Sequence, residues 1–76
     1  EKVAYLCMGQ LYALTGAEKI ISSAGALKVM GRQQSGTVQL RSGGKWVPIT
    51  FNCLVDGADR VSRLTYRFTP PAEASK

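Results

Sequence analysis

The chain has no histidine, two cysteines, one tryptophan and five acidic residues among its 76. Each scarcity removes a class of chemistry. Histidine is the side chain whose unperturbed pKa lies near neutrality, so the commonest general base, the usual activator of a nucleophile and the commonest metal ligand are missing. Two cysteines without histidine cannot supply the four soft ligands of a structural zinc site. Cys7 and Cys53 are also far apart in sequence, which excludes the two-residue spacing of a thioredoxin-type redox pair. No apolar run approaches the roughly 18 residues that span a bilayer, and the chain does not begin with the basic and then apolar stretch of a signal peptide.

The few carboxylates are poorly placed for catalysis. Glu1 and Glu73 are near the termini, Glu18 falls between patterned segments, and only Asp56 and Asp59 come close together, in "DGAD". Carboxylates in a turn ordinarily accept backbone N–H groups, and this turn lacks the alternating oxygen ligands of a calcium loop. Gly43 and Gly44 read as a hairpin turn rather than a phosphate-cradling loop, since neither opens a helix. The expectation is a protein that is not an enzyme and carries no metal or cofactor.

What is present indicates a folded domain. Apolar residues make up 45% of the chain and the mean hydropathy is −0.05, values of a globular rather than a disordered chain. A single domain of this length buries only about 60% of the surface its unfolded form exposes, so a crosslink or a partner is expected to support the core. An even cysteine count in so small a domain reads as a Cys7–Cys53 disulfide, worth roughly 4 kcal/mol in the chain-entropy model. Two buried free thiols in a cytosolic protein are the alternative. The disulfide implies a periplasmic or extracellular location, with the export signal removed or lying outside this stretch. The net charge of +5 permits attraction to anionic partners, although it is also ordinary for solubility.

In "KVAYLCMGQLYALTG", Val3, Leu6, Cys7, Leu11 and Leu14 recur at helical spacing, with Gly16 placed to end the helix and Tyr5, Met8 and Tyr12 widening the apolar surface. "AEKIISSAG", residues 17–25, reads as an ordered connector. From Ala26 the period becomes two. "ALKVM", "TVQL", "KWVPITFNCLV" and "VSRLTYRF" read as four strands, separated by "RQQSG", "SGGK" and "DGADR". Pro48 cannot donate to a ladder and must sit at a gap, an edge or a bulge. Short connections give an antiparallel meander, and one apolar helix face must cover its apolar side. The fold class is therefore α+β, two layers, with one N-terminal helix on a four-stranded antiparallel meander closed by one disulfide. Residues 1–69 form the domain, and 70–76, with two prolines, form a flexible tail.

If Cys53, Leu64, Tyr66 and Phe68 face the helix, then Arg63 and Arg67 face outward with Trp46, Thr50, Asn52, Gln39 and Arg41. Arginine beside tryptophan on an open sheet is suited to forked hydrogen bonding and stacking with carboxylate, phosphate or glycan groups, so Arg41, Trp46, Arg63 and Arg67 are the candidate ligand-binding residues. A solvated face is the plain alternative. Single-stranded nucleic acid binding interleaves several aromatics with basic residues, and this face offers one.

A cysteine on a helix followed three residues later by Gln10, an aromatic-x-Cys strand "FNC" and an acidic glycine turn "VDG" resemble small exported proteobacterial domains of unknown function. The resemblance runs over residues 4–68 and rests chiefly on Cys7, Phe51, Cys53, Asp56 and Gly57. It implies export and a disulfide, and no activity. The functional expectation is a non-catalytic exported binding module that recognises an envelope protein or an anionic glycan by its basic face or a sheet edge. A cytosolic domain drawn to nucleic acid by charge is the alternative.

Overall fold

The computed structural model describes residues 2–69; Glu1 and the segment 70–76, expected to form a flexible tail, lie outside the described residues. Helix α1 (Lys2–Thr15) opens the chain, and Val3, Cys7 and Leu11 form its buried stripe. The spacing of four residues between them sets all three on one face. Gly16, at φ +66°, ends the helix by donating its N–H to the Tyr12 carbonyl at 2.9 Å, because a residue without a Cβ takes the left-handed conformation readily.

Five strands follow, β1 (Lys19–Ile21), β2 (Leu27–Met30), β3 (Gln33–Ser42), β4 (Lys45–Val55) and β5 (Val61–Phe68). All pairings are antiparallel, and the sheet order is β1-β3-β4-β5 with β2 also paired to β3. The two-layer α+β arrangement and the β2–β5 meander agree with the sequence pattern. The sheet, however, has five strands rather than four. Lys19–Ile21 lies antiparallel to Gln39–Arg41, a pairing that the Glu18 N–H extends to the Arg41 carbonyl at 2.8 Å. Three residues are too few to display a period of two, so this strand forms from its neighbour's demand for partners and not from its own pattern.

The turn expected at "RQQSG" is a second correction. Met30 and Gln33 are already partners, leaving Gly31 and Arg32 as the two-residue connection, and Gln33–Gly36 pairs with both β2 and β4. Gly31, at φ +60°, takes the first turn position, where glycine is favoured. Glutamine and serine there resemble turn residues, yet Gln34 is buried within the sheet. β1 and β2 share one edge of β3 and meet near Gly36. A Cβ at Gly36 would collide with the Ala26 carbonyl oxygen and approach Leu27 Cδ2 to 2.8 Å, so only glycine admits the chain where the two short strands change over.

Pro48 lies inside β4 without breaking it. The Thr69 N–H donates to the Pro48 carbonyl at 3.0 Å, so ladder alternation directs the proline nitrogen toward the β5 side, just beyond the last paired rung, Ile49 with Phe68. The one bond the proline cannot make, the reciprocal donation to the Thr69 carbonyl, therefore falls at the end of the β4–β5 ladder.

The core comprises Val3, Cys7 and Leu11 from the helix against Val38, Leu40, Ile49, Phe51, Cys53 and Val55 from the sheet. The Cys7–Cys53 disulfide joins the layers through its middle, with both residues fully buried and their Cα atoms 6.0 Å apart. Leu14, Tyr66 and Phe68 depart from their expected burial. The register sets Tyr66 opposite Phe51 and Phe68 opposite Ile49, hence on the helix side, but both are exposed, as is Leu14. Helix α1 stops at Thr15 and leaves that end of the sheet bare.

Candidate functional site

The outward face develops from the same alternation that buries Cys53. Arg41 is the cross-strand partner of Trp46, and its guanidinium carbon lies 5.9 Å from the indole centroid, within cation–π range. Trp46 is 44% exposed. Thr37 and Thr50 hydroxyls lie 3.1 Å apart, Thr50 and Thr69 hydroxyls 2.8 Å apart, and Gln33 Nε2 donates to Asn52 Oδ1 at 2.8 Å. These contacts fix a polar floor across β3 and β4, extended by Thr69 just beyond the end of β5. Arg67 stands opposite Thr50, and Arg63 stands opposite Leu54.

The four candidate residues thus share one face, but only Arg41 and Trp46 touch. Trp46 and Leu54 are at opposite ends of β4, separated by roughly 26 Å at the usual rise of a strand. The result is a basic surface rather than a compact pocket. Pairing adds Lys19, opposite Arg41, and Lys28, opposite Ser35, to the same face. Lys28 was legible from its alternation with Leu27 and Val29. Lys19 was not, since its strand is too short to be recognised.

Every carboxylate among the described residues lies outside the strands. Glu18 accepts the Gly44 N–H at 3.2 Å. Asp56 Oδ1 accepts the N–H groups of Ala58 and Arg60 at 2.9 and 3.0 Å, the turn-closing role its sequence position indicated. The Arg60 N–H, followed by that of Ala58 and by the positive charges of Arg60 and Arg32, lowers the Asp56 pKa against a smaller opposing effect of desolvation. Asp59, at φ +60°, receives Lys2 Nζ at 3.0 Å and Arg32 at 2.5 Å, and these two bonds, Lys2 first, lower its pKa. Arg32 also donates to the Asp56 carbonyl. The charges at this turn therefore satisfy one another and tie the start of α1 and the β2–β3 turn to the β4–β5 turn. Sequence inspection identified the carboxylates but not Lys2 and Arg32, which reach them only in the fold. Among the described residues no three His, Cys, Asp or Glu side chains gather as a metal ion requires.

Two depressions lie on the helix side. An open groove of about 660 Å³ runs between the exposed helix face and the β4–β5 turn, lined by Tyr5, Met8, Gly9, Tyr12 and Arg60 among others. A smaller one of about 250 Å³ marks the bare end of the sheet, where Val47, Ile49, Tyr66 and Phe68 form its apolar wall beside Thr15. Among the described residues one buried side-chain polar atom, Gln34 Oε1, has no hydrogen-bond partner. Among the described residues no helix is long and apolar enough to cross a membrane. No family model, curated protein or solved structure matches the chain.

Proposed function

We propose that this protein is a non-catalytic, exported binding module that recognises an anionic envelope partner through the outward face of its sheet. The observation that carries this reading is charge segregation. Lys19, Lys28, Arg41, Arg63 and Arg67 project from strands on one face, whereas Glu18, Asp56 and Asp59 are all confined to turns and connections. A face of one sign over a rigid sheet concentrates oppositely charged ligands and orients them by forked hydrogen bonds. The Arg41–Trp46 pair adds a stacking surface suited to the flat side of a sugar ring or a planar carboxylate. The disulfide supports an oxidising compartment, periplasmic or extracellular, and so do the features at Cys7, Phe51, Cys53, Asp56 and Gly57 that resemble small exported proteobacterial domains.

The same charge would serve a nucleic acid in the cytosol. Trp46 is the single aromatic on the basic face, since Tyr66 and Phe68 lie on the other side, and base stacking along a strand uses several. The test is titration of the protein with polygalacturonate, with an acidic peptide and with single-stranded DNA. Trp46→Ala and Arg63→Ala should each weaken binding of the anionic glycan or peptide by about 1–3 kcal/mol. Their effect on folding should stay under about 0.5 kcal/mol, because both positions are exposed. Unchanged affinity in both variants overturns the reading, and a clear preference for the DNA transfers it to the alternative.

A further inference from the structure

The two long sides of the sheet are unlike each other. One lane beside β3 is filled by two short strands, β1 and β2, whereas β5 closes the other side as a single strand of eight residues with no strand beyond it among the described residues. Because the Thr69 N–H points to β4, alternation directs the backbone groups of Arg63, Thr65 and Arg67 to β4 and those of Leu64, Tyr66 and Phe68 to the open edge. Such a row of N–H and C=O groups is a template for another strand unless it is blunted. Among the described residues the one irregularity in the β5 pairing is the register shift between Leu54 and Val55, at the far end.

We propose that the free edge of β5 takes up an extended segment of a partner protein in which acidic and apolar residues alternate. This rests on the binding-module reading above and names its partner. A strand added to β5 would present one set of side chains beside Arg63 and Arg67 and the alternate set beside Leu64, Tyr66 and Phe68. Opposite charge is favoured on the first side by Arg63, which is exposed there. An apolar character is required on the second, where Phe68 is 70% exposed and the depression of about 250 Å³ lies next to it. A second copy of this chain fits poorly. Two-fold pairing of β5 with itself keeps the faces aligned and sets arginines directly opposite or diagonal to arginines, which is destabilising.

The first test needs no partner. In hydrogen exchange on the oxidised full chain, the amides of Leu64, Tyr66 and Phe68 should exchange at least about tenfold faster than those of Arg63, Thr65 and Arg67. Equal protection means the edge is already occupied and overturns the proposal, as does a dimer in sedimentation. The second test uses a synthetic peptide alternating Glu and Val, long enough to run along β5. In antiparallel pairing its valine amides face β5, so N-methylation of the valines should abolish binding while N-methylation of the glutamates leaves it within about threefold. Binding that tolerates both, or is lost with both, overturns the proposal. Arg63→Glu with Arg67→Glu should lower affinity at least about tenfold, and a Lys–Val peptide should not bind. Should the peptide show no dependence on N-methylation phase while Trp46→Ala still weakens polygalacturonate, the edge fails and the basic face stands. If phase matters and Trp46 does not, the edge stands alone.

Discussion

Phe51 and Phe68 are the same residue on the same side of the same sheet, two rungs apart, and their environments are opposite. Phe51 is 2% exposed and Phe68 is 70% exposed. Neither strand alternation nor side-chain chemistry distinguishes them. The difference is the reach of one helix of 14 residues, which contributes Val3, Cys7 and Leu11 to the core and stops before it covers the corner of β4 and β5. One half of this face therefore holds the domain together, while the other half is left exposed.

Reduction of the disulfide should give the largest effect, because the bond anchors the covering helix to the strand beneath it. Loss of about 4 kcal/mol is comparable to the whole stability of a domain this size, so reduction, or replacement of both cysteines by serine, should lower the melting temperature by about 15 °C or more. A smaller shift in calorimetry would mean that helix packing alone keeps Phe51 covered. The direct form of the comparison is the matched pair of truncations. Phe51→Ala should destabilise by about 3 kcal/mol in denaturant titration, through lost burial and the cavity left behind. Phe68→Ala should change stability by less than about 0.5 kcal/mol. Equal costs would show that something covers the bare corner in solution.

Gly36→Ala addresses why the β3 edge is filled in two pieces. The added methyl group meets the Ala26 carbonyl oxygen, and the positive φ of +155° disfavours any residue with a Cβ. A loss of about 2 kcal/mol is expected, with raised amide exchange concentrated in β1 and β2 rather than at β5. The smallest effect concerns the charged turn that ties the covered half at its far end. The Asp56 and Asp59 carboxyls are held below the usual value of 3.8, so their contribution is complete above that pH and is lost as pH falls through the depressed values. An acid titration of stability should therefore decline below about pH 4, and Asp59→Asn should flatten part of that decline. If the variant follows the parent curve, the contacts of Lys2 and Arg32 with Asp59 contribute nothing to stability.

How far the sequence was legible follows from the length over which a signal repeats. The helix is readable because Val3, Cys7 and Leu11 repeat over more than two turns, and the long strands because Val47, Ile49, Phe51, Cys53 and Val55 alternate without interruption. The outward placement of Arg41, Trp46, Arg63 and Arg67 follows from the same alternation once Cys53 is turned to the helix. Lys19–Ile21 carried no period to read, and "RQQSG" carried turn-forming residues in a strand position. In both places the backbone hydrogen bonding of β3 overrode local preference.

The sequence by itself determined the α+β class, the β2–β5 meander, the half-cystine pairing and the sign of the charge. These depend on local periodicity, on composition and on a cysteine count that admits one intramolecular pair. Only the tertiary structure decided that Lys19 joins the arginines on one face, that Lys2 and Arg32 reach Asp59, and that Phe68 stays bare while Phe51 is covered. Each of these depends on where segments distant in the chain come to lie, and on the point at which the helix ends. Those are properties of packing in three dimensions, on which a pattern repeating every two or every 3.6 residues carries no information.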